Sequence, residues 1–214
     1  MIKSFCLFAV LAGTATVASA DILTYSITVN TPNFGTPGWI DFSFNQANSL
    51  TSLSATATIT NFHQTGYTLD TTTQFTTGVT GSLSALPVVI PNDQDAANYF
   101  TQGILSWGSS FGFDVTISGP AVGTAAADGS AFRVTLYDND FGYLAMPLAD
   151  GVVATITIDP AGTLTASGST FDGGSATAAA VAPVPEPSTA LLLAPCAGAL
   201  LLALRRRSRP TIID

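Results

Sequence analysis

Phe111-Gly112-Phe113-Asp114-Val115-Thr116-Ile117-Ser118 is the stretch that decides the fold class of this chain. Its apolar residues occupy every second position, and small or polar residues stand between them. Successive side chains of a β-strand point to opposite faces, so this spacing gives the segment one apolar face and one polar face. Such alternation predicts an antiparallel sheet that is packed on one side only.

The same alternation recurs along the chain. It is found at residues 23–30, 40–45, 53–60, 132–137 and 152–158, and around Leu164 and Ala166. About eight short strands separated by Gly, Pro and Asn turns predict an all-β domain, an antiparallel β-sandwich of which the jelly roll is one form. Residues 93–101 lack the pattern, and we expect a short helix there.

The N-terminus has the three parts of a secretory signal peptide. Lys3 supplies a positive charge, residues 5–17 are apolar, and Ala18-Ser19-Ala20 forms a small-x-small cleavage site. We therefore expect residues 1–20 to pass through the general secretion machinery and to be removed by signal peptidase, which leaves Asp21 first.

The C-terminus combines the motif Pro185, Glu186, Pro187 with an apolar run and a basic cluster, Arg205, Arg206 and Arg207. Residues 188–204 would span roughly 25 Å as a helix, which is at the short limit for a bilayer. A core helix is the alternative, but this segment has no polar face for solvent. We expect one transmembrane helix that holds the domain outside the inner membrane, with the arginines on the cytoplasmic side.

This tail resembles the PEP-CTERM sorting signal, in which a Pro-Glu-Pro motif, a hydrophobic segment and a basic cluster follow one another in this order. The resemblance implies that exosortase is a partner, and that the processed protein reaches the cell surface or the extracellular matrix in association with exopolysaccharide. The segments 39–45, 98–100, 113–120 and 132–138 are also similar to small PEP-CTERM proteins of unknown role, which implies a shared sandwich and no particular activity.

Four regions are therefore expected. They are a signal peptide at 1–20, a β-sandwich at 21–167, a flexible stalk rich in Gly, Ser, Thr and Ala at 168–183, and the sorting signal at 184–214. Both cysteines, Cys6 and Cys196, fall in the terminal signals, so packing alone must stabilise the delivered domain.

The delivered domain is strongly acidic. Residues 21–183 contain one basic residue, Arg133, and 12 aspartates without a glutamate, which gives a formal charge of −11. This charge repels nucleic acid and anionic membrane surfaces, so neither is an expected partner of the domain.

No catalytic site is predicted. A Ser-His-Asp site would have to use His63, the one histidine. A structural zinc site needs about four Cys or His ligands, which the delivered domain lacks. Calcium is the candidate ion, because Asp138 with Asp140, and Asp93 with Asp95, are closely spaced oxygen donors. Solvated turns are the alternative for both pairs, because Asp favours turns.

Two functions of different classes remain. The first is a non-enzymatic surface or matrix protein associated with exopolysaccharide, and the second is a carbohydrate-binding module or glycan-active hydrolase. Four aromatic residues are candidates for stacking on sugar rings, with packing in the core as the alternative: Trp107, Tyr99, Tyr137 and Tyr143. Aromatic residues on an exposed sheet face, or two carboxylates roughly 5–10 Å apart in a groove, would favour the second function.

Overall fold

A computed structural model describes residues 23–32, 34–93 and 97–182. The expected signal peptide and sorting signal lie outside these ranges, as do Pro185, Glu186, Pro187 and the three arginines Arg205, Arg206 and Arg207. Within the described ranges there is no helix of the length and apolarity that crossing a membrane requires.

Thirteen strands make up the described part of the chain. They are β1 (Leu23–Asn30), β2 (Gly38–Gln46), β3 (Thr56–Thr65), β4 (Thr68–Phe75), β5 (Thr80–Ser82), β6 (Ala85–Pro91), β7 (Tyr99–Ser106), β8 (Ser110–Ser118), β9 (Ser130–Asp138), β10 (Val152–Ile158), β11 (Leu164–Gly168), β12 (Thr170–Phe171) and β13 (Gly174–Ala180).

The strands form two sheets, one of seven strands and one of six. The order is β12-β13-β1-β8-β3-β6-β5 in the first and β11-β10-β9-β2-β7-β4 in the second. The pairings between these strands are antiparallel. The all-β class and the antiparallel sheets predicted from the alternation are therefore confirmed.

The buried faces of the two sheets meet in a core rich in phenylalanine. Phe42 from β2 packs edge-on against Phe113 from β8, with ring centroids 5.2 Å apart and planes at 87°. Both side chains are fully buried, and burial of a phenylalanine contributes about 1.5–3 kcal/mol. Two sheets joined in this way have the arrangement of a β-sandwich.

The predicted stalk at 168–183 is wrong as far as Ala180. Residues 174–180 form β13, which pairs along β1 from Tyr25 opposite Ala180 to Asn30 opposite Ser175. The small residues serve close packing here, because a Cβ on Gly168 would lie 2.1 Å from the carbonyl oxygen of Ala176. A composition that is typical of a linker is therefore also what lets β11 pass close to β13.

The predicted helix at 93–101 is also wrong at its C-terminal end. Tyr99 begins β7 and pairs with Ser43 of β2. The alternation is obscured in β7 because Thr101 and Gln102 are buried as well as Phe100. A strand that lies between two others can bury polar side chains whose hydrogen bonds are satisfied, and Gln102 Nε2 donates to the carbonyl oxygen of Asp70 at 2.7 Å.

Candidate functional site

A groove lies on the outer face of the six-stranded sheet, over β2, β7 and β9. Its volume is about 390 Å³. The register of the strands places Asp41 of β2 between Thr101 of β7 and Thr135 of β9. Asn45 and Gln74 add amide groups to the lining, so the groove contains several polar groups that could bond a hydroxylated ligand.

Asp41 is the carboxylate of this groove. It is partly buried, and Thr101 Oγ1 donates a hydrogen bond of 2.7 Å to its Oδ1. Burial raises the pKa of Asp41 to about 6, although the bond from Thr101 acts in the opposite direction. The group is ionised at neutral pH and is a strong acceptor for a ligand hydroxyl.

Aromatic rings stand at one end of the groove. We refer to Trp39, Tyr137, Phe141 and Tyr143 as the aromatic cluster. The rings of Trp39 and Phe141 are stacked at 5.5 Å and 10°, and Tyr137 contacts both Phe141 at 5.9 Å and Tyr143 at 5.4 Å. Phe141 is 49% exposed and Tyr143 45%, so the cluster presents ring surface to solvent.

The burial of Tyr137 links the cluster to the polar part of the groove. Tyr137 and Phe141 both line the groove together with Asp41. Desolvation is the main cause that raises the pKa of the Tyr137 hydroxyl, and the negative charge of Asp41 adds to it. An uncharged phenol can donate a hydrogen bond as well as accept one, which suits a ligand that carries hydroxyl groups.

A tight loop after β9 positions Phe141. Asp138 Oδ1 accepts hydrogen bonds from the backbone N–H groups of Asp140 at 2.9 Å and Gly142 at 2.7 Å. The backbone N–H of Asp138 donates to the carbonyl oxygen of Gly142 at 2.8 Å. Phe141 lies between these bonds with a φ of 63°, in the left-handed region that a bulky residue rarely occupies.

The first calcium candidate is therefore also a structural turn. One carboxylate oxygen of Asp138 already accepts two backbone bonds, as the solvated-turn alternative predicts. In the described ranges no group of three or more His, Cys, Asp or Glu side chains is placed to hold a metal ion. Asp95 of the second pair lies outside those ranges, and Asp93 lies at their edge.

A second groove of about 410 Å³ adjoins the first on the same face. Asn45 lines both grooves, so the two are neighbours on this face. The second contains the exposed side chain of Arg133, and its walls include Ala131, Ile158 and Pro160. Its carboxylate is that of Asp159.

The other candidates from the sequence lie elsewhere. Trp107 is buried and packs against Phe34 at 5.1 Å and Tyr67 at 5.8 Å, so core packing explains it. His63 is exposed on the seven-stranded sheet, where its Nδ1 lies 2.9 Å from the carbonyl oxygen of Asn61. It follows an irregularity in the pairing of β3 with β8.

The structure brings two of the four candidate aromatic residues, Tyr137 and Tyr143, into the cluster, and a third, Tyr99, into the groove. Sequence reasoning missed Trp39, Asp41 and Phe141 as site residues. The alternation in β2 contains the signal for the first two, because a tryptophan and an aspartate share the face that should meet solvent. Phe141 has no such signal, since its position depends on the loop.

The two grooves have linings of similar chemical composition. The described lining of each contains one carboxylate, Asp41 or Asp159, alongside amides, hydroxyls and aromatic rings. Aromatic faces and convergent polar groups are the elements with which proteins bind small polar ligands. No family model, curated protein or solved structure matches this chain.

Proposed function

We propose that this chain is an exported surface or matrix protein that binds polysaccharide on the outer face of its six-stranded sheet. The observation that carries the proposal is the aromatic cluster at the end of a groove that contains Asp41. Together they offer a ligand flat apolar surface and a strong hydrogen-bond acceptor side by side.

A sugar ring matches both parts of this site. One side of the ring presents C–H groups that pack on an aromatic face, and its edge carries hydroxyls that donate and accept hydrogen bonds. Phe141 and Tyr137 offer the first contact, and Asp41 offers the second. Aromatic side chains lose little conformational entropy on binding, so they are efficient contacts for a weakly held polymer.

The residues that line the two grooves favour binding of polysaccharide without hydrolysis. Most glycosidases flank the scissile bond with two carboxylates. Each groove is lined by one in the described part of the chain, and Asp159 accepts backbone bonds from Ala161 at 2.8 Å and Thr163 at 2.9 Å. A hydrolase on the same sandwich is the second candidate, and the test below separates the two.

Export belongs to the same proposal. The leader at residues 1–20 and the tail that resembles a PEP-CTERM signal support delivery to the outside by signal peptidase and exosortase. A protein held or released there meets exopolysaccharide, which is the class of ligand that the groove suits.

The test is binding of soluble neutral polysaccharides: hydroxyethylcellulose, galactomannan and dextran. Retardation in gels that contain each polymer gives the affinity of residues 21–182. We expect Tyr137→Ala and Phe141→Ala to abolish binding and Phe75→Ala to retain it. Phe75 is a matched control because it is 57% exposed but lies outside the cluster.

Equal retardation of the Tyr137→Ala, Phe141→Ala and wild-type proteins would refute the proposed site. Release of reducing ends from any of the polymers, lost in Asp41→Asn, would establish the hydrolase instead.

A further inference from the structure

Arg133 is the one basic residue between positions 21 and 183, in a span with 12 aspartates. Within the described ranges Arg133 has no ion-pair partner. Asp159 shares its groove, but Oδ1 of Asp159 accepts the two backbone bonds of its own turn.

The position of Arg133 relates it to the aromatic cluster. Both Arg133 and Tyr137 lie on β9, four residues apart and on the same outward face. At about 3.4 Å per residue, the two side chains leave the strand roughly 14 Å apart. Asn45 lines the groove that contains Arg133 and also the groove that contains Tyr137. An elongated ligand could therefore contact the cluster and the guanidinium at once.

The surroundings of Arg133 suit an anion of a particular shape. A guanidinium presents parallel N–H donors that match a carboxylate in a bidentate arrangement. Ala131, Ile158 and Pro160 are apolar parts of the wall that lines the groove with the exposed side chain of Arg133. The first groove thus has the carboxylate of Asp41 as its charged group, whereas the second has the guanidinium of Arg133 as well as the carboxylate of Asp159.

We propose that Arg133, with Asn45 beside it, forms a subsite for a carboxylate-bearing sugar, so that the preferred ligand is an acidic polysaccharide. This inference rests on the proposed function, because it assigns the ligand class of the same face. The charge of −11 opposes approach of a polyanion at long range, and selectivity must come from contact at Arg133.

The test compares acidic polysaccharides with their carboxyl-reduced forms. Alginate, polygalacturonate and hyaluronan are the probes, and each reduced form is a neutral polymer of otherwise similar chain. Binding is measured in 0.15 M NaCl, where the screening length is about 8 Å and long-range repulsion is largely removed. We expect at least one acidic form to bind roughly 10-fold more tightly than its reduced form, as loss of one charged hydrogen bond implies.

Two variants assign this preference to the guanidinium. Arg133→Gln should bind the acidic and reduced forms equally, and Arg133→Lys should retain part of the preference because it keeps the charge without the bidentate geometry. Arg133 is exposed, so both variants should melt at the wild-type temperature.

The outcomes separate this inference from the proposed function. Equal wild-type affinity for acidic and reduced forms, or an Arg133→Gln variant that keeps the preference, would overturn the subsite and leave the polysaccharide site standing. Binding that survives Tyr137→Ala but loses its acid preference in Arg133→Gln would retain the subsite and refute the aromatic site. Absence of binding to every polymer, neutral or acidic, would overturn both.

Discussion

The ring of Phe141 stacks on the ring of Trp39, with centroids 5.5 Å apart and planes inclined by 10°. Phe141 reaches this position with a φ of 63°, and a left-handed conformation costs a residue with a side chain roughly 1–2 kcal/mol. Backbone strain of this kind is often found at binding sites. A substitution at Phe141 can therefore test the contribution of the exposed ring to binding separately from its effect on stability.

Phe141→Gly should preserve the fold and abolish polysaccharide binding. Glycine removes the left-handed penalty of roughly 1–2 kcal/mol, which offsets the lost contact with Trp39. Thermal melting should stay within a few degrees of wild type, and gel retardation should disappear. Phe141→Ala is the control, since it removes the ring and keeps the strain, and it should melt below Phe141→Gly. Retained binding in Phe141→Gly would show that the ring is not part of the site.

Asp138 should act through its oxygen as an acceptor and not through its charge. Asp138→Asn keeps an acceptor for the N–H groups of Asp140 and Gly142, whereas Asp138→Ala removes it. We expect Asp138→Asn to bind polysaccharide like wild type, and Asp138→Ala to bind weakly and to lose about 1 kcal/mol of stability.

The same pair of variants tests the calcium site predicted from Asp138 and Asp140. Melting with and without millimolar calcium is the measurement, because a bound ion would raise the melting temperature. A calcium-dependent rise in the melting temperature of the wild type that disappears in Asp138→Asn would show that Asp138 binds calcium. Asp138 would then have a second role besides closing the turn.

Asp41 should lower the stability of the domain above pH 6. Its folded pKa is about 6 against an ordinary value of 3.8, because burial disfavours the carboxylate. Well below pH 3.8 the group is protonated in both the folded and unfolded chains and has no effect. Between pH 4 and 6 the folded chain binds the proton more tightly, so the free energy of unfolding falls as the pH rises, and above about pH 6 the loss is complete.

Asp41→Asn should therefore stabilise the domain at pH 8 by roughly 2–3 kcal/mol, at 1.36 kcal/mol per pKa unit, and should have little effect at pH 4. Denaturant unfolding at the two values measures the difference. The variant should bind neutral polysaccharide less tightly at pH 7, since an amide oxygen is a weaker acceptor than a carboxylate. Equal stabilisation at pH 4 and pH 8 would show that folding does not raise the pKa of Asp41.

Truncation tests where the domain ends. A chain of residues 21–182 should fold, and a chain of residues 21–173 should be strongly destabilised, because β1 loses the partner that extends from Ala180 to Ser175. Buried Ala176 is lost with that partner. Circular dichroism during thermal melting compares the two. Equal melting temperatures for the two chains would support the flexible stalk that the composition predicts.

Glu186→Ala tests the delivery signal. In a host that has exosortase, the wild-type protein should leave the inner membrane after processing, and the variant should stay there. The change lies outside the described domain, so purified variant and wild-type domains should melt alike. Fractionation of membrane and medium is the measurement, and equal release of both proteins would refute the resemblance to a sorting signal.

Part of the outer face that carries the proposed site could be predicted from the sequence of β2 alone. In β2 the odd-numbered residues Trp39, Asp41 and Ser43 alternate with buried Ile40, Phe42 and Phe44, so their shared outward face follows from local periodicity. Phe141 could not be assigned in the same way, because its direction depends on the turn that Asp138 closes. The strand β13 was missed because small residues give no apolar alternation.

The sequence by itself determined the fold class, the outward face of the longer alternating strands and the charge of the domain, because each depends on residue type and on a period of two along the chain. Only the tertiary structure decided that β13 pairs with β1, that Asp41 lies opposite Thr101 and in one groove with Tyr137, and that Arg133 shares a face with them. These relations depend on which strands pair and in what register. That choice is made by packing between segments far apart in the sequence, which no local pattern records.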